Sequence, residues 1–182
     1  MKILTICPSK YPEKLAYMMD SFLDTRSECN TVRINYEEDS ITKIFNKVFE
    51  ANPDYDFYHM TNDDVIYKTK EWDVKLAQKG KISYGNDLFQ GANLCTFPMI
   101  DGDIVRALGW LQMPTLERYC GDVVWKFIGE QLNILNYNED VIIEHKWGGC
   151  ERPDLNTADM ARFAAWLPFA HKELEKIRKV LA

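Results

Sequence analysis

Hydrophobic and polar positions alternate between two periods along the first half of this chain. Lys2 to Cys7 (KILTIC) is apolar and β-branched, the pattern of a strand. Pro8 and Ser9 end it. From Tyr11 to about Leu23 the apolar positions Leu15, Met18, Met19, Phe22 and Leu23 recur at helical spacing, with Pro12 tolerated in the first turn. Thr31 to Tyr36 reads as a second strand. Asp39 or Ser40 is placed to cap a helix from about Ile41 to Ala51, whose face carries Ile41, Ile44, Phe45, Val48 and Phe49. Asp56 to Thr61 is a third strand, in which aromatic and apolar residues crowd together with few charges, as fits a buried parallel strand. Glu71 to Gln78 follows as a short helix with Trp72 and Leu76 at i and i+4. Strand and helix thus alternate with short connections, which predicts βαβ units and a parallel sheet.

The second half has a different pattern. Ile82 to Tyr84 is a short strand, and Leu94 to Ile100 an edge or irregular strand because of Pro98. A helix from Asp101 or Gly102 to Leu108 ends at Gly109, and another spans Leu116 to Gln131. Ile134–Tyr137 and Val141–His145 read as two strands joined hairpin-fashion by Asn138-Glu139-Asp140. Thr157 to Leu181 is helical, interrupted at Pro168, with Lys172 to Lys179 forming a solvated, mixed-charge face. The fold class expected is one α/β domain, Rossmann-like: a mostly parallel central sheet flanked by helices, with a small antiparallel element in the second half. Residues 1–150 form that domain, its halves meeting near 80, and 151–182 a C-terminal helical extension.

Composition narrows the partners. A chain of 182 residues is long enough for a sizeable core, and its net charge of −6 disfavours a broad nucleic-acid-binding face. The cysteines (Cys7, Cys29, Cys95, Cys120, Cys150) show no CxxC spacing, so reduced thiols are expected. The N-terminal apolar run is too short for a signal peptide and no segment has the length of a membrane span, so a cytoplasmic location without stable membrane insertion is expected.

Candidate chemistry gathers behind the third strand, where Asn62, Asp63 and Asp64 follow one another. Carboxylates at the end of a buried strand call for a cation, and Mg²⁺ or Mn²⁺ bind through one or two carboxylates plus substrate phosphates. The same triplet is also ordinary turn chemistry. In a parallel sheet, ligands collect at the carboxyl ends of strands, so Cys7-Pro8-Ser9 should share that rim with the triplet as a nucleotide site. Neither GxGxxG nor GxxxxGK[ST] is present.

In this order, the pieces resemble the GT-A-fold nucleotide-sugar glycosyltransferases, close to the family-two inverting enzymes, over about Lys2 to Trp147. Cys7-Pro8-Ser9-Lys10 resembles the nucleotide-binding start, and Asn62-Asp63-Asp64 the DxD-type motif, with Asn replacing the first Asp. Lys70-Glu71-Trp72-Asp73 is similar to the segment after that motif. Phe97-Pro98-Met99-Ile100 and Asp103-Ile104-Val105-Arg106 resemble the acceptor-side strand and helix. Gly121-Asp122 stands where the family keeps an ED-type acid, and Glu144-His145 where metal-dependent members often have a histidine. The resemblance implies transfer of a hexosyl group from a nucleoside diphosphate sugar, expected to be UDP-linked, to an acceptor hydroxyl with inversion. It implies Asp64 and His145 as ligands of Mn²⁺ or Mg²⁺, Asp122 as general base, and Pro8, Ser9, Asp63, Asp64 and Trp147 around the donor. The acceptor stays open: a saccharide, a small molecule or a modified nucleic-acid base. Each residue also has a plain structural use, Asp122 as a helix-surface acid and His145 as a satisfied strand histidine. His59 reads as core and His171 as surface. Two alternatives stand beside the transferase: a non-catalytic nucleotide- or sugar-binding module, and a sugar nucleotidyltransferase, which the glycine-free CPSKYPEK segment disfavours.

Overall fold

The computed structural model describes residues 1–35, 40–146 and 152–182. A seven-stranded sheet forms its centre, in the order β2-β1-β3-β6-β5-β7-β4. Strand β1 (Ile3–Pro8) is buried along its whole length between β2 (Asn30–Asn35) and β3 (Phe57–Met60), parallel to both. Helix α1 (Pro12–Thr25) lays Leu15, Met18 and Phe22 on the sheet. Helix α2 (Ile41–Ala51) contributes Ile44, Phe45 and Phe49 and is capped by Ser40, whose Oγ accepts from the Lys43 N–H at 3.2 Å. Ser40 thus makes the expected cap; Asp39 lies outside the described residues. The first half is the predicted parallel unit.

Beyond β3 the sheet is mixed rather than mostly parallel. Strand β6 (Met99–Asp101) runs antiparallel to both β3 and β5 (Ile82–Asn86), whereas β5 is parallel to β7 (Leu135–His145). The expected hairpin at 138–140 is absent, because 135–145 is one continuous strand. Its register against β5 jumps from Gly85↔Asn138 to Asn86↔Ile142, so Glu139–Val141 form a bulge. Gly85 permits the bulge: a Cβ there would stand 2.4 Å from the Val141 carbonyl oxygen. Past the bulge, β7 pairs antiparallel with β4 (Val65–Tyr67), a strand whose length of three residues left no period to read.

Helix α3 (Trp72–Leu76) buries Trp72 and Leu76, and α4 (Gly102–Leu108) starts at Asp101, whose Oδ1 accepts from the Asp103 N–H at 2.8 Å. Helix α5 (Gly121–Leu132) begins five residues later than the periodicity of Leu116–Gln131 implied. Residues 117–119 are held as a turn because Asp159, fully buried on α6 (Pro153–Trp166), accepts their successive N–H groups at 2.8–3.0 Å. A 3₁₀ turn, Leu167–Phe169, realises the break at Pro168, and α7 (Ala170–Leu181) sends Leu174 and Ile177 into the core beside α4 and α5. Among the described residues no helix is long and apolar enough to cross a membrane.

His59, at the middle of β3, is fully buried, as its strand predicted. Its Nε2 lies 3.1 Å from the Tyr67 hydroxyl, which in turn donates to Thr61 Oγ1 at 2.9 Å. Burial, only partly offset by the Pro98 carbonyl, pushes its pKa down to about 3. The folded protein therefore refuses a proton that the unfolded chain accepts below about pH 6.5, so stability falls as pH drops from there towards 3. The slope from this group approaches ~1.4 kcal/mol per pH unit. Urea unfolding at stepped pH is expected to show a shallower acid loss for His59→Gln than for wild type. Parallel curves would contradict it.

Candidate functional site

The site is built where β1 and β3 end side by side. Pro8 closes β1 and Ser9 turns into its side of the rim; Met60 closes β3, and Thr61 leads on to Asn62, Asp63 and Asp64. The two carboxylates diverge. Asp63 Oδ2 accepts from the Ser9 hydroxyl at 2.6 Å, a short charge-assisted bond that ties the end of β3 to the end of β1. Ser9 Oγ accepts in turn from the Tyr11 N–H at 3.3 Å, fixing the entry to α1. Burial raises the pKa of Asp63, the Ser9 bond opposes that rise, and the neighbouring Asp64 adds to it.

Asp64 faces the other way, across the sheet to β7. Its Oδ2 lies 3.2 Å from His145 Nε2, and the pair is held by main-chain bonds on both sides. The Lys146 N–H donates to the Asp64 carbonyl at 2.9 Å, and the His145 N–H to the Asp87 carbonyl at 3.0 Å. The Asp64 hydrogen bond raises the His145 pKa against the opposing effect of burial, with the Asp87 and Asp122 charges contributing. Phe97 presses edge-on to the imidazole at 5.2 Å.

Asp122 approaches from a third element, the first turn of α5. Cys120, at φ 65°, swings the chain so that Gly121 and Asp122 open the helix, and Asp122 Oδ1 accepts from the Val123 N–H at 2.8 Å. Its carboxyl pKa is raised mainly by burial; the Val123 N–H and the His145 charge pull it back, and Asp87 pushes it further up. Asp122 is partly buried rather than a fully solvated helix-surface acid. Pro8, Ser9, Asp63, Asp64, Asp122 and His145 all line a single cavity of ≈ 860 Å³. Trp147, expected beside the sugar, lies outside the described residues.

Two participants were not singled out from the sequence. Asp87, at the end of β5, is buried and electrostatically linked to both His145 and Asp122. An Asn-Asp pair directly after a strand, the signal used at 62–64, recurs at Asn86-Asp87 and would have marked it. Gln112 also lines the cavity, its main chain clamped by Asn46 at 2.8–2.9 Å. Nothing local in the sequence announces that contact.

A divalent ion is compatible with this donor set. Asp64 Oδ1 and His145 Nδ1 are both buried without a hydrogen-bond partner, so the pair has unspent capacity. Among the described residues no group of three His, Cys, Asp or Glu side chains closes a metal shell. Such a pair suits an ion that arrives with a diphosphate and keeps water ligands, not one caged by protein. As a ligand, His145 would have to release its proton first.

No family model and no curated protein sequence matches this chain. Among solved structures it superposes on TarS of S. aureus with a TM-score of 0.64 at 10% identity, covering 100% of this chain and 42% of TarS. The chain thus spans less than half the length of that protein. A putative glucose-1-phosphate thymidylyltransferase from Bacillus anthracis, in complex with a sucrose, aligns at 10% identity over 91% of this chain and 94% of its own. Its TM-score is 0.41, too low to bear on the fold. The likeness to TarS establishes the architecture, the expected single GT-A-like α/β domain, and says nothing about substrate.

Ser9→Ala removes the donor that holds a half-buried carboxylate. It is expected to cost about 1–3 kcal/mol in chemical denaturation. A change below ~0.5 kcal/mol would show that the Ser9–Asp63 link does not join the two strand ends.

Proposed function

We propose that the protein is a glycosyltransferase, moving a hexosyl group from a nucleoside diphosphate sugar, UDP-linked by preference, to an acceptor hydroxyl with inversion at the anomeric carbon. One observation carries this reading: on a GT-A-like fold, the paired Ser9–Asp63 and Asp64–His145 and the lone acid Asp122 meet on the wall of one cavity, at the carboxyl ends of β1 and β3.

Each residue has a task that follows from its surroundings. Pro8 and Ser9, with Asp63 behind them, shape the end of β1 against which the nucleotide would lie. Asp64 and His145 would hold Mn²⁺ or Mg²⁺ beside the diphosphate. Such an ion, when bound, supplies Lewis-acid stabilisation of the charge left on the departing phosphate. Asp122 acts on the acceptor. Its burial makes it a better base than an exposed aspartate, while the Val123 N–H and the His145 charge favour its ionised form. As the acceptor oxygen bonds to the anomeric carbon, the bond from that carbon to the phosphate oxygen breaks and the hydroxyl proton passes to Asp122. Attack opposite the leaving group inverts the centre. The His145 imidazole, paired with Asp64, is electrostatically linked to this acid as well, and all three line the one cavity.

Asp122→Asn tests the reading against a non-catalytic binding module. UDP release from a panel of UDP-hexoses, with Mn²⁺ and an acceptor mixture, is expected to fall about 10²–10⁴-fold in kcat. UDP affinity should stay near the wild-type value, since the base is not a nucleotide ligand. Turnover undiminished in the variant would remove Asp122 from the reaction, and no turnover in wild type would favour the binding module.

A further inference from the structure

Directly after β5 the chain makes a turn whose Asp87 carbonyl accepts from the His145 N–H but whose other residues have no part in the proposed donor chemistry. Asp87, 1% exposed, accepts through Oδ1 from three successive main-chain donors, the N–H groups of Phe89, Gln90 and Gly91, at 3.0, 2.7 and 2.8 Å. Asn86 Oδ1 accepts from the Leu88 N–H at 2.9 Å. Two side chains therefore fix every amide from 88 to 91. The turn is also strained: Leu88 sits at φ 59°, a left-handed conformation that a branched apolar residue rarely adopts. What this costly arrangement displays is an aromatic ring left in water. Phe89 is 64% exposed, yet it lines the cavity and stands edge-on to His145, with the ring centroids 6.3 Å apart. A single exposed apolar side chain is unremarkable on a flexible loop. One held rigidly at the mouth of a cavity, beside the residues proposed to do chemistry, is pre-arranged for a ligand.

We infer that Phe89 is the platform on which a saccharide acceptor stacks, so that the acceptor is a carbohydrate. This rests on the glycosyltransferase reading above. The surroundings select the chemistry. A pyranose presents one apolar face of C–H bonds with hydroxyls around its edge, and Phe89 offers a ring with the polar Gln90 next to it and Asp122 on the same cavity wall. A nucleic acid would bring an extended run of phosphates to a protein of net charge −6. A lipid surface would call for a contiguous apolar patch with basic residues, whereas the next apolar neighbour on this turn is Leu88 alone. Tyr11, the other exposed aromatic among the described residues of the cavity wall, already has the Lys14 ammonium over its ring at 4.7 Å. Phe89 also follows β5, in the half of the sheet away from Pro8 and Ser9.

The test uses the full chain with UDP and Mn²⁺ on a printed glycan array, comparing wild type, Phe89→Ala and Phe89→Trp. UDP affinity is measured separately by calorimetry on each. The turn is fixed through main-chain amides, so it should survive both substitutions. Expected are glycan binding by wild type, a loss of about tenfold or more in Phe89→Ala, recovery in Phe89→Trp, and equal UDP affinity in all three. Glycan binding that is unchanged in Phe89→Ala overturns the platform, as does UDP binding by wild type without any glycan bound. Preferential binding of a single-stranded oligonucleotide or of phosphatidylglycerol vesicles overturns the carbohydrate assignment. Failure of wild type to bind UDP overturns the donor reading, and the inference with it.

Discussion

Two neighbouring carboxylates at the end of a buried strand cannot both stay in a low-dielectric rim unless each is given a partner, and the rest of this structure can be read as the supply of those partners. Asp63 is held by Ser9 from the end of β1, so the central parallel strands are joined at their tips as well as along their ladder. Asp64 is held by His145, at the far end of β7. For that histidine to arrive, β7 must cross its bulge beside Gly85 and pair with β4, putting Val65 opposite His145. The two halves of the domain are therefore joined through the same pair of acids.

A consequence is that the cavity is electrostatically graded. Asp63 is pushed towards its neutral form by burial, with a serine restraining it. His145 is pushed towards its charged form by Asp64. Asp122, arriving on α5 with the imidazole charge nearby and Asp87 behind, is balanced between burial and local donors. Groups whose environments push their protonation in different directions are what a site needs in order to accept a proton in one place and tolerate anionic charge in another.

Much of the first half was legible because its signals are local. The β-branched KILTIC run, the i, i+3, i+7 spacing of Leu15, Met18 and Phe22, and the Ser40 cap each depend on residues within a few positions of one another. Asn62-Asp63-Asp64 stood out for the same reason, and His59 was placed in the core by its strand. Where the reading missed, a distant residue decides. The turn at 117–119 is not helical because Asp159, forty residues on, takes its amides. Asn138-Glu139-Asp140 looks like a hairpin turn, but parallel pairing with β5 keeps the strand going and turns the surplus residues into a bulge. The mixed sheet follows from β6 inserting between β3 and β5, a crossover that strand periodicity does not encode. At the site, Asp122 and His145 were singled out only through the family resemblance, whereas Asp87, Phe89 and Gln112 depend on how β5 and α2 meet the cavity.

Calorimetric titration of UDP and of GDP, each with and without Mn²⁺, into wild type and Asp64→Ala addresses the central claim most directly. The account predicts that one nucleotide binds wild type in the presence of the metal, that omission of the metal weakens it severely, and that Asp64→Ala abolishes the metal-dependent part. If neither nucleotide binds wild type with Mn²⁺ present, the acids at the rim are only a turn and its partners, and the donor site is contradicted.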